Sequence, residues 1–283
     1  MRKEQKGQDP YFEKFLIWAL EENLNKRTIE GYWRAWKIWK EFLWERGIDV
    51  EKANVVDAQE FYYSLLKKNE ISTANYRLVL LGKIYEVIGL KKDLWKKVKA
   101  AVVPVQQPKS LSDFERKRLL TICDALKLKD RVIIYLGLLA GLRVSEMAEL
   151  KWDNIKDKKL QVIGKMGRVR EVPLHPLLRD TLNELKRKSK YEYVLPGWKG
   201  KPMNPSSIYK RVKAAGELAG IENLHPHQLR HTFAKNLIKS GASLDKVAKL
   251  LGHFKSDGSV SLQTVARYTV STTEELAEYI DLL

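Results

Sequence analysis

The amino-acid sequence predicts a mainly α-helical protein with a small β-hairpin or three-stranded sheet, divided into two domains. Three observations lead there. From Asp9 to about Leu90 apolar residues recur every three to four positions in four blocks, which is the period of one helix face. Val103-Pro-Val-Gln-Gln-Pro-Lys109 then interrupts any helix with two prolines and two glutamines and marks a domain boundary. Farther on, Leu160–Ile163 and Val169–Pro173 read as two short strands joined by Gly164-Lys-Met-Gly-Arg168, a hairpin in otherwise helical surroundings.

The four N-terminal blocks begin near Tyr11, Thr28, Asp57 and Ser72, with Thr28 and Ser72 as expected N-caps and Gly47 and Gly89 where helices should end. In the second block Ile29, Tyr32, Trp33, Trp36, Trp39, Lys40, Leu43 and Trp44 make an aromatic-rich helix. Its tryptophans either fill core or, in part, stack on a nucleic acid. A basic segment, Leu90–Lys99, leads into the proline break. Beyond it, Ser112 and Glu115 are spaced as a capping box that opens a helix to about Leu126, and a second helix runs from Lys129 through Leu139 to Ala140-Gly141. After the hairpin the helical pattern returns, with Tyr193–Leu195 as a candidate third strand and a capped helix over residues 271–283.

Composition narrows the function. The chain has 283 residues, 44% of them apolar, and no apolar run approaches the roughly 18 residues of a membrane span. The N-terminus lacks the apolar core of a secretory signal, so a cytoplasmic protein is expected. The single cysteine, Cys123, lies in a helical pattern of leucines and isoleucine and is expected to be a buried small hydrophobe. Fifty-two Lys and Arg against 35 Asp and Glu give a formal charge of +17, and a pI near 9.7. That imbalance favours a polyanionic partner. The basic residues run along the whole chain rather than in one amphipathic helix or tail, which points to nucleic acid rather than a membrane surface.

Leu224–Phe233 holds three of the five histidines, yet it is a poor metal site. Pro226 separates His225 from His227, the cluster contains no Asp, Glu or Cys, and Arg230 sets a permanent cation beside any ion. His227 and Arg230, three apart on one helix face, suit a phosphate instead. Arg143 stands just after a Gly-terminated helix and at the start of the next, where a guanidinium joins a helix N-terminus as an anion site. Lys165 occupies the hairpin tip. Leu251-Gly-His253 ends a helix with a histidine, and Ala266-Arg-Tyr268-Thr follows after a loop containing Gly258.

In this order, Gly-Leu-Arg143-Val-Ser-Glu, Gly-Lys165, His227-x-x-Arg230-His-Thr-Phe-Ala, Leu-Leu-Gly-His253 and Arg-Tyr268-Thr, the chain resembles the tyrosine recombinase family, of the Xer and phage-integrase type. The resemblance covers nearly the whole chain. It implies a helical core-binding, DNA-clamping domain over residues 1–103, a linker over 104–109, and a catalytic domain over 110–283 that ends in an interaction helix. It further implies site-specific cleavage and religation of double-stranded DNA through a 3′-phosphotyrosyl bond to Tyr268, by a homotetramer on paired sites, without metal or nucleotide cofactor. Arg143 and Arg230 would clamp the phosphate, Lys165 would protonate the leaving oxygen, His227 would accept the tyrosine proton or bind phosphate, and His253 would hydrogen-bond the phosphate. Glu146 would orient Arg143 or His227. Tyr279 is the rival nucleophile, but its acidic neighbours would repel a phosphate. A type IB topoisomerase would use the same residue types, and a catalytically silent DNA-binding protein is the alternative from another class.

Overall fold

The computed structural model describes residues 9–91, 93–104, 110–164, 167–255, 257–266, 268 and 269. The chain forms two compact units, Met1–Val105 and Gln106–Leu283. The first is a four-helix unit: α1 (Pro10–Glu21), α2 (Lys26–Trp44), α3 (Val55–Leu66) and α4 (Ile71–Ile88). Asp9 sets its entry. One carboxylate oxygen accepts from the backbone N–H of Tyr11 and Phe12 at 3.1 and 2.9 Å. The other accepts from Trp36 Nε1 at 3.0 Å and Lys40 Nζ at 2.7 Å, so one buried charge caps α1 and pins it to α2. The tryptophans divide as a helix face demands. Trp36 and Trp39 are fully buried and Trp44 is 67% exposed. Trp39 meets Phe61 and Trp95 edge-on, and its Nε1 donates to the Tyr85 hydroxyl at 2.8 Å.

Two expected caps move. Asn25, not Thr28, caps α2 by accepting from the Thr28 N–H at 2.9 Å. Ser72 lies inside α4, which Glu70 precedes without a side-chain cap. Gly89 ends α4 in the left-handed conformation, as its position suggests.

The second unit is built around α6 (Leu128–Leu138), buried from Val132 through Leu138. The helix packs against α8 (Pro176–Arg187), α9 (Pro205–Leu218) and α10 (Pro226–Lys239). Before it stands α5 (Asp113–Ile122), opened by the Ser112–Glu115 capping box and followed by a 3₁₀ turn that holds the buried Cys123. Burial pushes that thiol up to about 12, so it is a core residue. Short α7 (Val144–Glu149) leads to the antiparallel pair β1 (Lys159–Ile163) and β2 (Val169–Pro173), registered from Lys159↔Pro173 to Ile163↔Val169. The described sheet has two strands. The expected third strand at Tyr193–Leu195 is a single bridge from Tyr193 to Lys151, because the chain turns at Pro196 before a ladder can extend. Helices α11 (Leu244–Leu251) and α12 (Leu262–Ala266) complete the described elements. The terminal helix expected over 271–283, with Tyr279, lies outside the described residues.

Candidate active site

The chain leaves α6 through Gly141, at φ +63°, where an added Cβ would run into the ring of Phe233. This turn delivers Arg143 to the N-cap of α7, three residues before Glu146. Glu146 is 7% exposed and is the hub of the site. Its Oε2 accepts from the Arg143 backbone N–H at 2.7 Å and its Oε1 from Arg143 Nη1 at 2.9 Å. Arg170, from β2, grips the same carboxylate with two prongs, Nη1 to Oε1 at 2.8 Å and Nη2 to Oε2 at 2.9 Å. A third guanidinium, that of Arg230 on α10, stands 3.7 Å away. Burial pushes the Glu146 carboxyl up, but the hydrogen bonds and charge of Arg170, the Arg143 N–H and the charge of Arg230 outweigh it and hold the group at about 2.

Arg230 is 1% exposed. It donates to the carbonyls of Gly141 and Leu251, both at 2.6 Å, which ties the exits of α6 and α11 together. Burial, then the charge of Arg143, lowers it to about 9, still above neutrality, so the guanidinium stays charged. Its Nη2 lies 3.1 Å from His253 Nε2. A guanidinium only donates, so that imidazole nitrogen accepts and the ring proton sits on Nδ1, which is buried without a hydrogen-bond partner. Burial and the surrounding arginines hold His253 at about 3, a neutral ring at physiological pH.

Tyr268 follows α12 and is 9% exposed. Its ring stacks 6.3 Å from that of His253 and lies 5.2 Å from that of His231. The side chain belongs to a hydrophobic cluster with Phe233, Val247, Leu251 and Val265. His227 is exposed on the first turn of α10, its ring 5.1 Å from that of His231. Partial burial and the charge of Arg230 lower its pKa. A cleft of about 790 Å³, lined by Arg143, Glu146, Arg168, Arg170 and His253 among others, opens beside this group.

Of the six side chains expected at the site, Arg143, Arg230, His253 and Tyr268 converge, and His227 stands one ring away. Lys165 lies outside the described residues, between Gly164, which lines the cleft, and Gly167. The histidine run divides. Pro226 separates His225 from His227 by opening α10, with His225 as its N-cap accepting from the Gln228 N–H at 3.2 Å. No metal-binding group of three His, Cys, Asp or Glu occurs among the described residues. Sequence reasoning missed Arg170 and His231. The signal for Arg170 was period two: Arg170 and Val172 face inward on β2 while Val169 and Glu171 face out, and an inward cation requires a buried carboxylate. His231 follows Arg230 directly, and one residue of separation hides that its ring reaches Tyr268. Burial lowers it to about 4, so it too is a neutral imidazole.

Residues 109–275 match the phage integrase family. Over 234 residues the chain is 33% identical to tyrosine recombinase XerA of Pyrococcus furiosus, covering 80% of this chain and 79% of that protein. Its fold is similar to the XerH site-specific recombinase in a post-cleavage complex with a palindromic difH substrate, with a TM-score of 0.75 and 20% identity across 91% of this chain and 80% of that one. A lambda integrase tetramer bound to a Holliday junction is similar at a TM-score of 0.70 and 20% identity, across 87% of this chain and 77% of that one.

Proposed function

This chain belongs to the phage integrase family and is a tyrosine site-specific DNA recombinase, and from that premise we propose that it breaks and rejoins DNA through a 3′-phosphotyrosyl bond to Tyr268. The observation that carries this reading is the convergence of Tyr268, His253, Arg230 and Arg143 from four separate stretches of chain. Phosphodiester cleavage needs a nucleophile, charge on the non-bridging oxygens and a proton for the departing sugar oxygen. Tyr268 Oη attacks the scissile phosphorus and the bond to the 5′ oxygen breaks. Arg143 and Arg230 hold the non-bridging oxygens. The neutral ring of His227 accepts the tyrosine proton, while Lys165 protonates the leaving oxygen. His253 would hydrogen-bond the phosphate through Nε2, in the other tautomer, once Arg230 turns from that nitrogen to the phosphate. Because the phosphotyrosyl bond retains the energy of the broken linkage, a 5′-hydroxyl reverses the attack without ATP. Assembly as a tetramer on paired sites is part of this reading, supported by the likeness to the lambda integrase tetramer.

The test uses a nicked duplex whose half-sites are selected from a randomised pool by binding to the wild-type chain. Wild type should yield a protease-sensitive covalent adduct on denaturing gels, and Tyr268→Phe should bind the same duplex without forming one. An equal adduct from both proteins would move the nucleophile to another tyrosine. Binding with no adduct from either would mark a silent DNA-binding protein, and plasmid relaxation without exchange between two sites would mark a topoisomerase.

A further inference from the structure

We propose that Arg170 is a positioning residue for cleavage, acting through Glu146 to hold Arg143 and Arg230 in the geometry that receives the phosphate. The inference rests on the roles assigned above to those two arginines. Arg170 borders the cleft but is only 6% exposed, and its guanidinium is turned onto the protein. Its two prongs occupy both oxygens of Glu146, at 2.8 and 2.9 Å, and its Nε donates to the Leu250 carbonyl at 2.8 Å. A carboxylate fixed on one edge in this way meets Arg143 and Arg230 only laterally, at 2.9 and 3.7 Å. Released from Arg170, it could swing into a two-pronged pair with either of them and draw their donors away from a phosphate.

The third bond extends the effect. Leu250 adjoins Leu251, whose carbonyl accepts from both Arg143 and Arg230, and two residues later comes His253. Arg170 therefore fixes both the anion that the phosphate-binding arginines share and the strand of carbonyls against which they rest. Its fit is close: a Cβ added at Gly252 would lie 3.0 Å from Arg170 Cδ and Nη1. The charged and titratable groups facing Glu146 are Arg143 at the start of α7, Arg170 from β2, Arg230 from α10 and His253 beyond α11. Arg170 is the first-ranking influence that keeps this buried carboxyl ionised against the effect of burial.

The test compares full-length wild type, Arg170→Lys and Arg170→Gln on the nicked duplex described above. For each, the thermal transition, the DNA affinity and the rate of adduct formation at saturating protein are measured, the last from about pH 5 to about pH 8. The expected result is affinity within about threefold of wild type and an adduct rate reduced roughly ten- to a hundredfold. The Gln variant should also show a steeper fall of rate toward acid pH than wild type, as Glu146 loses its main counter-charge and binds a proton more readily. If Gln at this position prevents folding, the Lys variant, which keeps the charge but not the two prongs, decides. A folded Lys variant with the wild-type rate and pH profile overturns the proposal, and so does a loss of rate that only tracks the loss of folded protein. Absence of adduct from wild type would bring down the functional reading itself, a result distinguishable from failure of this inference alone.

Discussion

A carboxylate buried among three guanidiniums stabilises the fold only while it is ionised. Glu146 is held at about 2, against an ordinary 4.5. Its contribution is therefore complete above about pH 4.5 and is lost as pH falls toward 2, because the unfolded chain then binds the proton first. Glu146→Gln leaves the buried arginines without their anion and should cost about 3–5 kcal/mol near neutrality. Urea denaturation of the two proteins should show that gap narrowing below about pH 4.5, and a gap independent of pH would mean that Glu146 is not the ionised hub. At this scale the sequence was readable wherever chemistry and motif coincide. Arg143, Arg230, His253 and Tyr268 each stand in a short, distinctive string. Glu146 was legible as a residue that orients its neighbours, but not as the anion shared by three arginines, because Arg170 and Arg230 reach it from other elements.

Turns between elements do the aiming. Gly252, at φ +67°, ends α11 and turns His253 back toward Arg230, while its bare Cα lets Arg170 lie against it. Gly252→Ala should lose about 1 kcal/mol to the left-handed backbone alone. Its methyl group should also displace Arg170, lowering the adduct rate while leaving DNA affinity nearly intact. An unchanged rate at saturating DNA would show that Arg170 has slack. The elements themselves were mostly legible: the capping box at Ser112, the hairpin over 159–173 and the glycine ends of α4 and α11 follow from local rules. Where local signals competed, tertiary contacts decided. Asp9 caps α1 while bonded to Trp36 and Lys40 of α2, which no window of neighbouring residues contains. Tyr193–Leu195 has strand-like residues, yet finds only Lys151 to pair with before Pro196.

For the whole molecule, charge acts at two ranges. The formal +17 is spread along the chain and exposed, so it draws DNA from a distance and is screened by salt. Affinity for DNA should fall steeply as salt rises from about 50 to about 200 mM, with each phosphate contact adding about 0.9 to the log–log slope. The adduct rate at saturating protein should change far less, because Arg170 and Arg230, 6% and 1% exposed, are shielded from solvent ions. Equal salt sensitivity of the two would place the reacting phosphate on the exposed surface instead. Net charge was visible in composition, whereas this inner arrangement depends on residues 143, 146, 170 and 230 meeting across the fold. Three guanidiniums surround one carboxylate there, a surplus of two positive charges. A phosphodiester at rest carries one negative charge, and the trigonal bipyramid midway through the displacement carries close to two. Positive charge therefore remains around Glu146 after its own ion pairs are made, and on the proposed mechanism that surplus favours the more highly charged bipyramid over the phosphodiester that is merely bound.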